Sequence, residues 1–274
     1  MMTYLMDIDG DGDIDFVIAD YYFKYVDWIE NVDGTGTLFA QHPISGPWAG
    51  TGPRSLDIKD INSDGYMDII SNWGTANLLF YINNGAPEPI FTLQLIDIGT
   101  SDPYHMRIED VDDDTDFDIV YFANTTDQIM YRENSGGGTF DIPGVLLLTS
   151  SRVQSIKLTD MDLDDDLDML VGYNYLAGSP SLELYQNNAS EFSNAQNWYF
   201  PDGVSGVTTA QFNTDSLPEI VTILSRFTFA YEGIALNEIA VFENNGGMTF
   251  GTEIIPLVDI IPDNYNNSVL SVSI

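Results

Sequence analysis

An acidic nine-residue loop recurs along this chain at a fixed spacing, and that period limits what the chain can fold into. The first copy runs Asp7-Ile8-Asp9-Gly10-Asp11-Gly12-Asp13-Ile14-Asp15. The second is Asp60-Ile61-Asn62-Ser63-Asp64-Gly65-Tyr66-Met67-Asp68. The third spans Asp110–Asp118 and the fourth Asp160–Asp168. Their first residues lie 53, 50 and 50 positions apart, and Asp or Asn fills positions 1, 3, 5 and 9 of all four. Such a period means one supersecondary unit stacked repeatedly on its neighbours. A weaker fifth copy, Gln211-Phe212-Asn213-Thr214-Asp215-Ser216-Leu217-Pro218-Glu219, starts 51 residues after the fourth.

Each loop is followed by an apolar run ending in Asn. These runs are Trp28–Asn31, Phe80–Asn83, Met130–Asn134, Leu184–Asn187 and Val241–Asn244. The Asn lies 24, 23, 24, 27 and 33 residues after loop position 1, so the last unit carries extra length around Ser225–Asn237. Asn followed by Gly or a second Asn reads as strand-then-turn chemistry, because both residues tolerate the left-handed backbone. An aromatic then marks the start of the next strand: Phe39, Phe91, Phe140, Trp198 and Phe250.

The second copy gives the unit most cleanly. Short β-branched or aromatic runs predict strands over Ser55–Lys59, Met67–Ser71, Asn77–Ile82 and Ile90–Ile96, punctuated by Gly, Asn, Asp and Pro. No segment carries a capped apolar stripe of helical period. The expected fold is all-β: a β-propeller of repeated four-stranded antiparallel blades with Ca2+ hairpin loops. The units fall at about 1-50, 51-100, 101-150, 151-203 and 204-265, with an extra strand at 268-274. Together they make a single propeller domain or a propeller fragment. A parallel β-helix has shorter periods. An EF-hand ends its loop at a twelfth-position Glu between helices, whereas here position 9 runs into Phe16-Val17-Ile18 or Ile69-Ile70.

The loop spacing suits a hard cation. Ca2+ takes six to eight oxygen donors in flexible geometry. The candidate ligands are Asp7, Asp9, Asp11, Asp13 and Asp15; Asp60, Asn62, Asp64, Tyr66 and Asp68; Asp110, Asp112, Asp114, Asp116 and Asp118; and Asp160, Asp162, Asp164, Asp166 and Asp168. Positions 1, 3, 5 and 9 would give side-chain oxygens. Position 7, which varies, would give its carbonyl. Gly12 and Gly65 ease the turn at position 6, where Thr115 and Asp165 bring strain. Asn213, Asp215, Leu217 and Glu219 form a weak or vacant fifth site, since Gln211 has lost the first charge. Without a cation the crowded carboxylates repel, so metal binding is expected to be linked to folding.

The Asp-x-Asp-x-Asp-Gly-x-x-Asp loops, with Asn-Asn-Gly at Asn83–Gly85 and Asn244–Gly246, resemble the FG-GAP/VCBS repeats, which include the calcium-binding blades of integrin α propellers. The resemblance covers nearly the whole chain. It implies a secreted or surface-exposed propeller with Ca2+ between the first and second strands of each blade. Its members serve in adhesion, glycan binding and occasionally polysaccharide cleavage. The chain departs from the pattern in its fifth loop and has few clean Phe-Gly…Gly-Ala-Pro segments.

Composition narrows the partners. The net charge is −35, from 43 acidic and 8 basic residues, and four bound Ca2+ would leave it at −27. Such a surface disfavours nucleic acid and anionic membranes. With no cysteine, no disulfide or thiol chemistry operates, and no run is long and apolar enough to span a bilayer. Weak calcium sites fit the millimolar calcium outside cells, so an extracellular or cell-surface location is expected. The opening stub Tyr4-Leu5-Met6 and the closing run Ser268–Ile274 leave two expectations: either the C-terminal strand completes a compact ring, or further blades close a larger one, whose open edges would invite self-association.

The expected role is binding or adhesion to a glycan or a surface protein, without catalysis. The leading alternative is a polysaccharide lyase or hydrolase, or the propeller module of one, using Tyr104, His105 and Arg107. A structural spacer is the third reading. There is no Gly-x-Ser-x-Gly elbow, His-Glu-x-x-His site or phosphate-binding glycine loop. Alternation along the first strands places Lys59, Arg107 and Lys157 on the face away from the inter-blade core, where they could draw a carboxylate or sulfate ligand. The bland reading is that they offset Asp57, Glu109 and the nearby loops.

Overall fold

The protein was analysed as a computed structural model describing residues 1–45, 52–73, 77–97, 103–149, 152–174, 176–188, 191–201, 203–226, 236–251 and 253–256. Among the described residues every regular element is a strand. Twenty strands form five four-stranded sheets, each an antiparallel meander in chain order. Sheet 1 holds β1 (Met2–Met6), β2 (Asp15–Asp20), β3 (Tyr25–Asn31) and β4 (Phe39–Ser45). Sheet 2 holds β5 (Ser55–Lys59), β6 (Asp68–Asn72), β7 (Asn77–Asn83) and β8 (Phe91–Asp97). Sheet 3 holds β9 (Pro103–Glu109), β10 (Asp118–Ala123), β11 (Gln128–Arg132) and β12 (Gly144–Leu148).

These three sheets make one compact unit, Met1–Leu148; the second unit is Thr149–Ile274. The second unit carries sheet 4, with β13 (Val153–Thr159), β14 (Asp168–Tyr173), β15 (Leu182–Asn188) and β16 (Glu191–Trp198). It also carries sheet 5, with β17 (Val204–Ala210), β18 (Glu219–Arg226), β19 (Leu236–Phe242) and β20 (Glu253–Pro256). The run at 268–274, read as an extra strand, lies outside the described residues, as do 227–235 within the long fifth unit.

Packing explains the sequence pattern. Inside the first unit, sheet 2 is buried on both faces. Leu56, Ile58, Ile69, Leu79 and Tyr81 pack with Val17, Val26 and Trp28 of sheet 1. Ile70, Leu78 and Phe80 face the other way, toward Met106, Ile108, Ile119 and Tyr121 of sheet 3. Successive strand residues point to opposite faces, so β6, covered on both sides, is buried at every position, its polar Asp68, Ser71 and Asn72 included. β10 and β14 are buried throughout as well. The first strands alternate instead, with Leu56, Ile58, Met106 and Ile108 buried and Asp57, Lys59, Arg107 and Glu109 partly exposed. In the second unit, Leu170, Leu182 and Leu184 of sheet 4 pack with Val204, Ile220, Leu224 and Phe242 of sheet 5.

One sequence mark is corrected. Asn31, Asn83, Asn134 and Asn244 pair with Phe39, Phe91, Phe140 and Phe250. In sheet 4, however, Asn187 pairs with Phe192, and Trp198 ends β16 rather than starting it. Trp198 packs instead between Phe242 of β19 and Phe250 of the β19–β20 connection, with ring centroids 5.1 and 5.6 Å away. A large indole between two sheets and an aromatic at a strand start look alike in sequence.

Candidate metal centres

Each acidic loop joins the first and second strands of its sheet, and its backbone winds around its own carboxylates. Position 1 takes two or three amides: Asp7 accepts from Gly10 and Gly12 at 2.8 and 3.0 Å, and Asp60 from Asp64 and Gly65 at 3.0 and 2.8 Å. Asp110 accepts from Asp114 and Thr115, and Asp160 from Leu163, Asp164 and Asp165. Position 5 accepts the amide of position 7 in all four loops, from Asp11–Asp13 to Asp164–Asp166. The backbone bends back through left-handed residues at positions 4 and 6. These are Gly10 and Gly12, Ser63 and Gly65, Asp113 and Thr115, and Leu163 and Asp165. The strain expected at Thr115 (φ 79°) and Asp165 (φ 73°) is therefore present, and position 4 adds a second such residue.

Position 9 anchors the loop. Asp15, Asp68, Asp118 and Asp168 are buried, at 1% exposure or less. One oxygen of each accepts the amide of position 2 of its own loop, from Ile8, Ile61, Val111 and Met161. The other accepts the amide of the Asn that ends the third-strand run: Asn31, Asn83, Asn134 and Asn187, at 2.7 to 2.9 Å. The indole N–H of Trp28 also donates to Asp15 Oδ2 at 3.0 Å. Burial pushes Asp68 and Asp168 up to about 7 and Asp118 up to about 6. The two amides pull each back toward the anion, and the neighbouring loop carboxylates raise it further.

The carboxylates converge. Ligand oxygens of Asp7, Asp9 and Asp15 lie within 4.8 Å of one another, as do those of Asp110, Asp112 and Asp118, and of Asp160, Asp162 and Asp168. Asp112, Asp114 and Glu133 form an overlapping group at the third loop. In the second loop Asn62 stands at position 3, and its amide donates to Asp64 Oδ2 at 3.0 Å. Burial first, then the other loop carboxylates, raise Asp112 and Asp162. Asp112 Oδ1 and Asp162 Oδ1 are buried and accept no hydrogen bond. Clustered oxygens without histidine or cysteine, including oxygens with no donor, fit a hard divalent cation. At position 7 the Tyr66 ring leaves the cluster and lies on Gly85, where a Cβ would come 2.1 Å from Tyr66 Cε2. Gly85 at φ 67° is thus fixed by close approach as well as by its turn.

The fifth loop closes on itself. Glu219 Oε2 accepts the Phe212 amide at 2.7 Å, and Oε1 accepts Asn213 Nδ2 at 2.7 Å.

A family model described as an FG-GAP-like repeat matches residues 7–71, from the first loop through β6. Solved structures resemble a larger part of the chain. An Agrocybe aegerita lectin, described for its specific recognition of non-reducing terminal N-acetylglucosamine, gives a TM-score of 0.64 at 15% identity, over 93% of this chain and 65% of the lectin. The V. cholerae biofilm matrix protein Bap1 gives 0.53 at 17% identity, over 89% of this chain and 37% of Bap1. BBS1N, solved in complex with ARL6DN, gives 0.53 at 13% identity, over 93% and 82%. At these identities the likeness is one of fold. The chain spans 65% of the lectin and 37% of Bap1. Comparison with curated proteins gives no sequence match.

The residues read as a ligand site fall elsewhere. Lys59 Nζ pairs with Glu109 Oε2 at 3.0 Å and sits over the Phe117 ring. Arg107 donates to the Met106 carbonyl, and its charge lowers the pKa of Asp57 and of Tyr4. Tyr104 lies under the Arg54 guanidinium, 4.5 Å away. His105 has φ 51° at a bulge: Val120 pairs with Arg107 and Phe122 with Tyr104, so His105 and Met106 share one partner position. Lys157 lies on β13 of the second unit, partly exposed. Lys59 and Arg107 thus lie close to Asp57 and Glu109 on the first strands. Sequence reasoning missed the bulge and the two-sided bonding of the third-strand Asn, because both depend on residues remote in the chain.

Proposed function

We propose that the chain is a calcium-stabilised β-propeller module, or part of one, that works outside the cell by binding a glycan or a surface protein. The observation that carries the metal reading is the convergence of carboxylates at positions 1, 3 and 9 around oxygens that have no donor. Ca2+ would be held by Asp7, Asp9, Asp11 and Asp15, by Asp60, Asn62, Asp64 and Asp68, and by the matching residues of loops three and four. Bound there, the ion would neutralise carboxylates that burial and mutual repulsion otherwise push toward protonation. Likeness of fold to a glycan-recognising lectin and a biofilm matrix protein supports the binding role.

One exposed feature favours a glycan. The turn between β2 and β3 carries Tyr21, Tyr22 and Phe23, with Tyr22 and Phe23 84% and 76% exposed. Asp20 Oδ1 accepts the amides of both Tyr22 and Phe23, so the aromatic tip is held in shape by its own turn. Flat aromatic faces fixed in water suit the apolar faces of sugar rings.

The test is calorimetric melting with calcium and after chelation, followed by a glycan array in calcium. Each site raises stability by about 2.7 kcal/mol when calcium stands at a hundred times its Kd. Identical melting curves would end the metal reading. On the array, Tyr22→Ala with Phe23→Ala is expected to abolish the signal. Loss instead on Arg107→Glu with Lys157→Glu, confined to uronate or sulfated glycans, would move the site to the first strands. Unsaturated or reducing-end products would replace the binding reading with a lyase or a hydrolase.

A further inference from the structure

The third-strand Asn residues join one acidic loop to the next. Asn83 Nδ2, in sheet 2, donates to the Ile8 carbonyl of the first loop at 3.1 Å and to the Met67 carbonyl of its own loop at 3.2 Å. Asn134, in sheet 3, does the same to Ile61 and Phe117 at 3.0 and 3.2 Å. In the second unit Asn244 reaches Met161 and Pro218 at 2.7 and 3.3 Å. The carbonyl taken is always that of position 2 in the preceding loop and position 8 in the residue's own loop. All three Asn residues are buried, at 1% exposure or less, so these amides have no water to fall back on.

These bonds form a continuous relay through the first unit. Asp15 Oδ2 accepts the Ile8 amide, and the Ile8 carbonyl accepts Asn83 Nδ2. The Asn83 amide donates to Asp68 Oδ1, and Asp68 Oδ2 accepts the Ile61 amide. The Ile61 carbonyl accepts Asn134 Nδ2, and the Asn134 amide donates to Asp118 Oδ1. Every link is a peptide unit, a carboxylate or an Asn side-chain amide set between candidate ligands. Ser63 Oγ adds a direct bond from the second loop to Asp116 Oδ1 of the third, at 3.1 Å.

We infer that Asn83 and Asn134 are positioning residues that couple neighbouring cation sites, so that filling one loop raises the affinity of the next. This rests on the metal reading above. A cation held by the position-9 carboxylate fixes that side chain in place. That fixes the Asn whose amide it accepts, and the Asn side chain in turn fixes the position-2 peptide of the preceding loop. The donor of position 2 holds that loop's own position-9 ligand, so order passes from site to site. By linkage the effect runs equally in both directions.

The test needs a reporter for one loop. The Trp28 indole N–H bonds Asp15, so its indole N–H NMR resonance, assigned with Trp28→Phe, follows the first loop during a calcium titration. The full chain is titrated in four forms: unaltered, with the second loop disabled by Asp60→Asn and Asp64→Asn, with Asn83→Ala, and with all three changes. Disabling the second loop is expected to weaken the first by about fivefold or more, at the low end of typical couplings. In the Asn83→Ala background the same change is expected to have no further effect. A purely structural role for Asn83 would weaken the first loop without removing this dependence. If Asn83→Ala does not fold, Asn83→Ser keeps a hydroxyl but cannot span both carbonyls. An unchanged midpoint on disabling the second loop overturns the coupling and leaves the metal reading intact. A Trp28 resonance that calcium never moves, with no heat of binding, overturns both.

Discussion

Asn213 and Glu219 satisfy one another across the fifth loop, with Asn213 Nδ2 2.7 Å from Glu219 Oε1. In the first four loops the position-9 carboxylate is an Asp bound by one backbone amide of its own loop and by that of the Asn ending the third-strand run, and position 1 is an Asp that takes two or three loop amides. The fifth has replaced both residues and filled the remaining oxygen with a side-chain amide.

The fifth loop is therefore expected to stay free of calcium while the other four load. Isothermal titration of the intact protein is expected to give four sites. Gln211→Asp with Glu219→Asp restores the carboxylate at position 1 and the shorter anchor at position 9, and is expected to add a fifth. Five sites before any substitution would show that Asn213 yields its bond to the ion.

Backbone strain at position 6 gives a second expectation. Thr115 holds φ 79°, where an L side chain costs about 1–2 kcal/mol. Glycine relieves this but gives back about 0.5–1 kcal/mol in chain entropy. Thr115→Gly is thus expected to stabilise the protein by roughly 0.5–1 kcal/mol, read as a higher urea midpoint in saturating calcium. The reciprocal change isolates the backbone effect. A Cβ at Gly12, φ +95°, meets nothing within 4 Å. Gly12→Ala is expected to cost about 1 kcal/mol through φ alone.

Asp57 supplies a pH dependence away from the loops. Burial raises it from 3.8 to about 6; the Ile58 amide, Lys59 and Arg107 pull it down, and Glu109 pushes it up. A carboxyl with a raised folded pKa binds its proton more tightly in the native state. Its contribution is present below about pH 4 and is lost as pH rises through about 6. Asp57→Asn removes that loss, and at pH 7 is expected to stabilise the protein by about 1–3 kcal/mol. The difference between the two proteins is expected to shrink as pH falls from 6 to 4. A difference independent of pH would mean that the side chain acts through packing alone.

Much of this molecule is written locally. The loop ligands fall within nine consecutive residues, so their convergence follows from one turn of backbone and was legible as spacing. The strands of sheet 2 were legible for the same reason: β5 spans Ser55–Lys59 as read, and β6 to β8 fall within a residue of their expected bounds. Alternation along the first strands named their buried residues, Leu56, Ile58, Met106 and Ile108, because a strand side chain has only two faces to choose from.

What escaped the sequence depends on partners far along the chain. Asn83 reads as a turn residue, and it does accept the Gly85 amide; its bond to Ile8 crosses 75 positions. Trp198 reads as the start of a strand, and the facing sheet makes it a partly buried packing residue at the end of one. Short-range geometry is set by the order of residues. Which buried donor meets which carbonyl is decided only when two sheets close on one another and exclude water, because only then does an unpaired polar group carry its full cost.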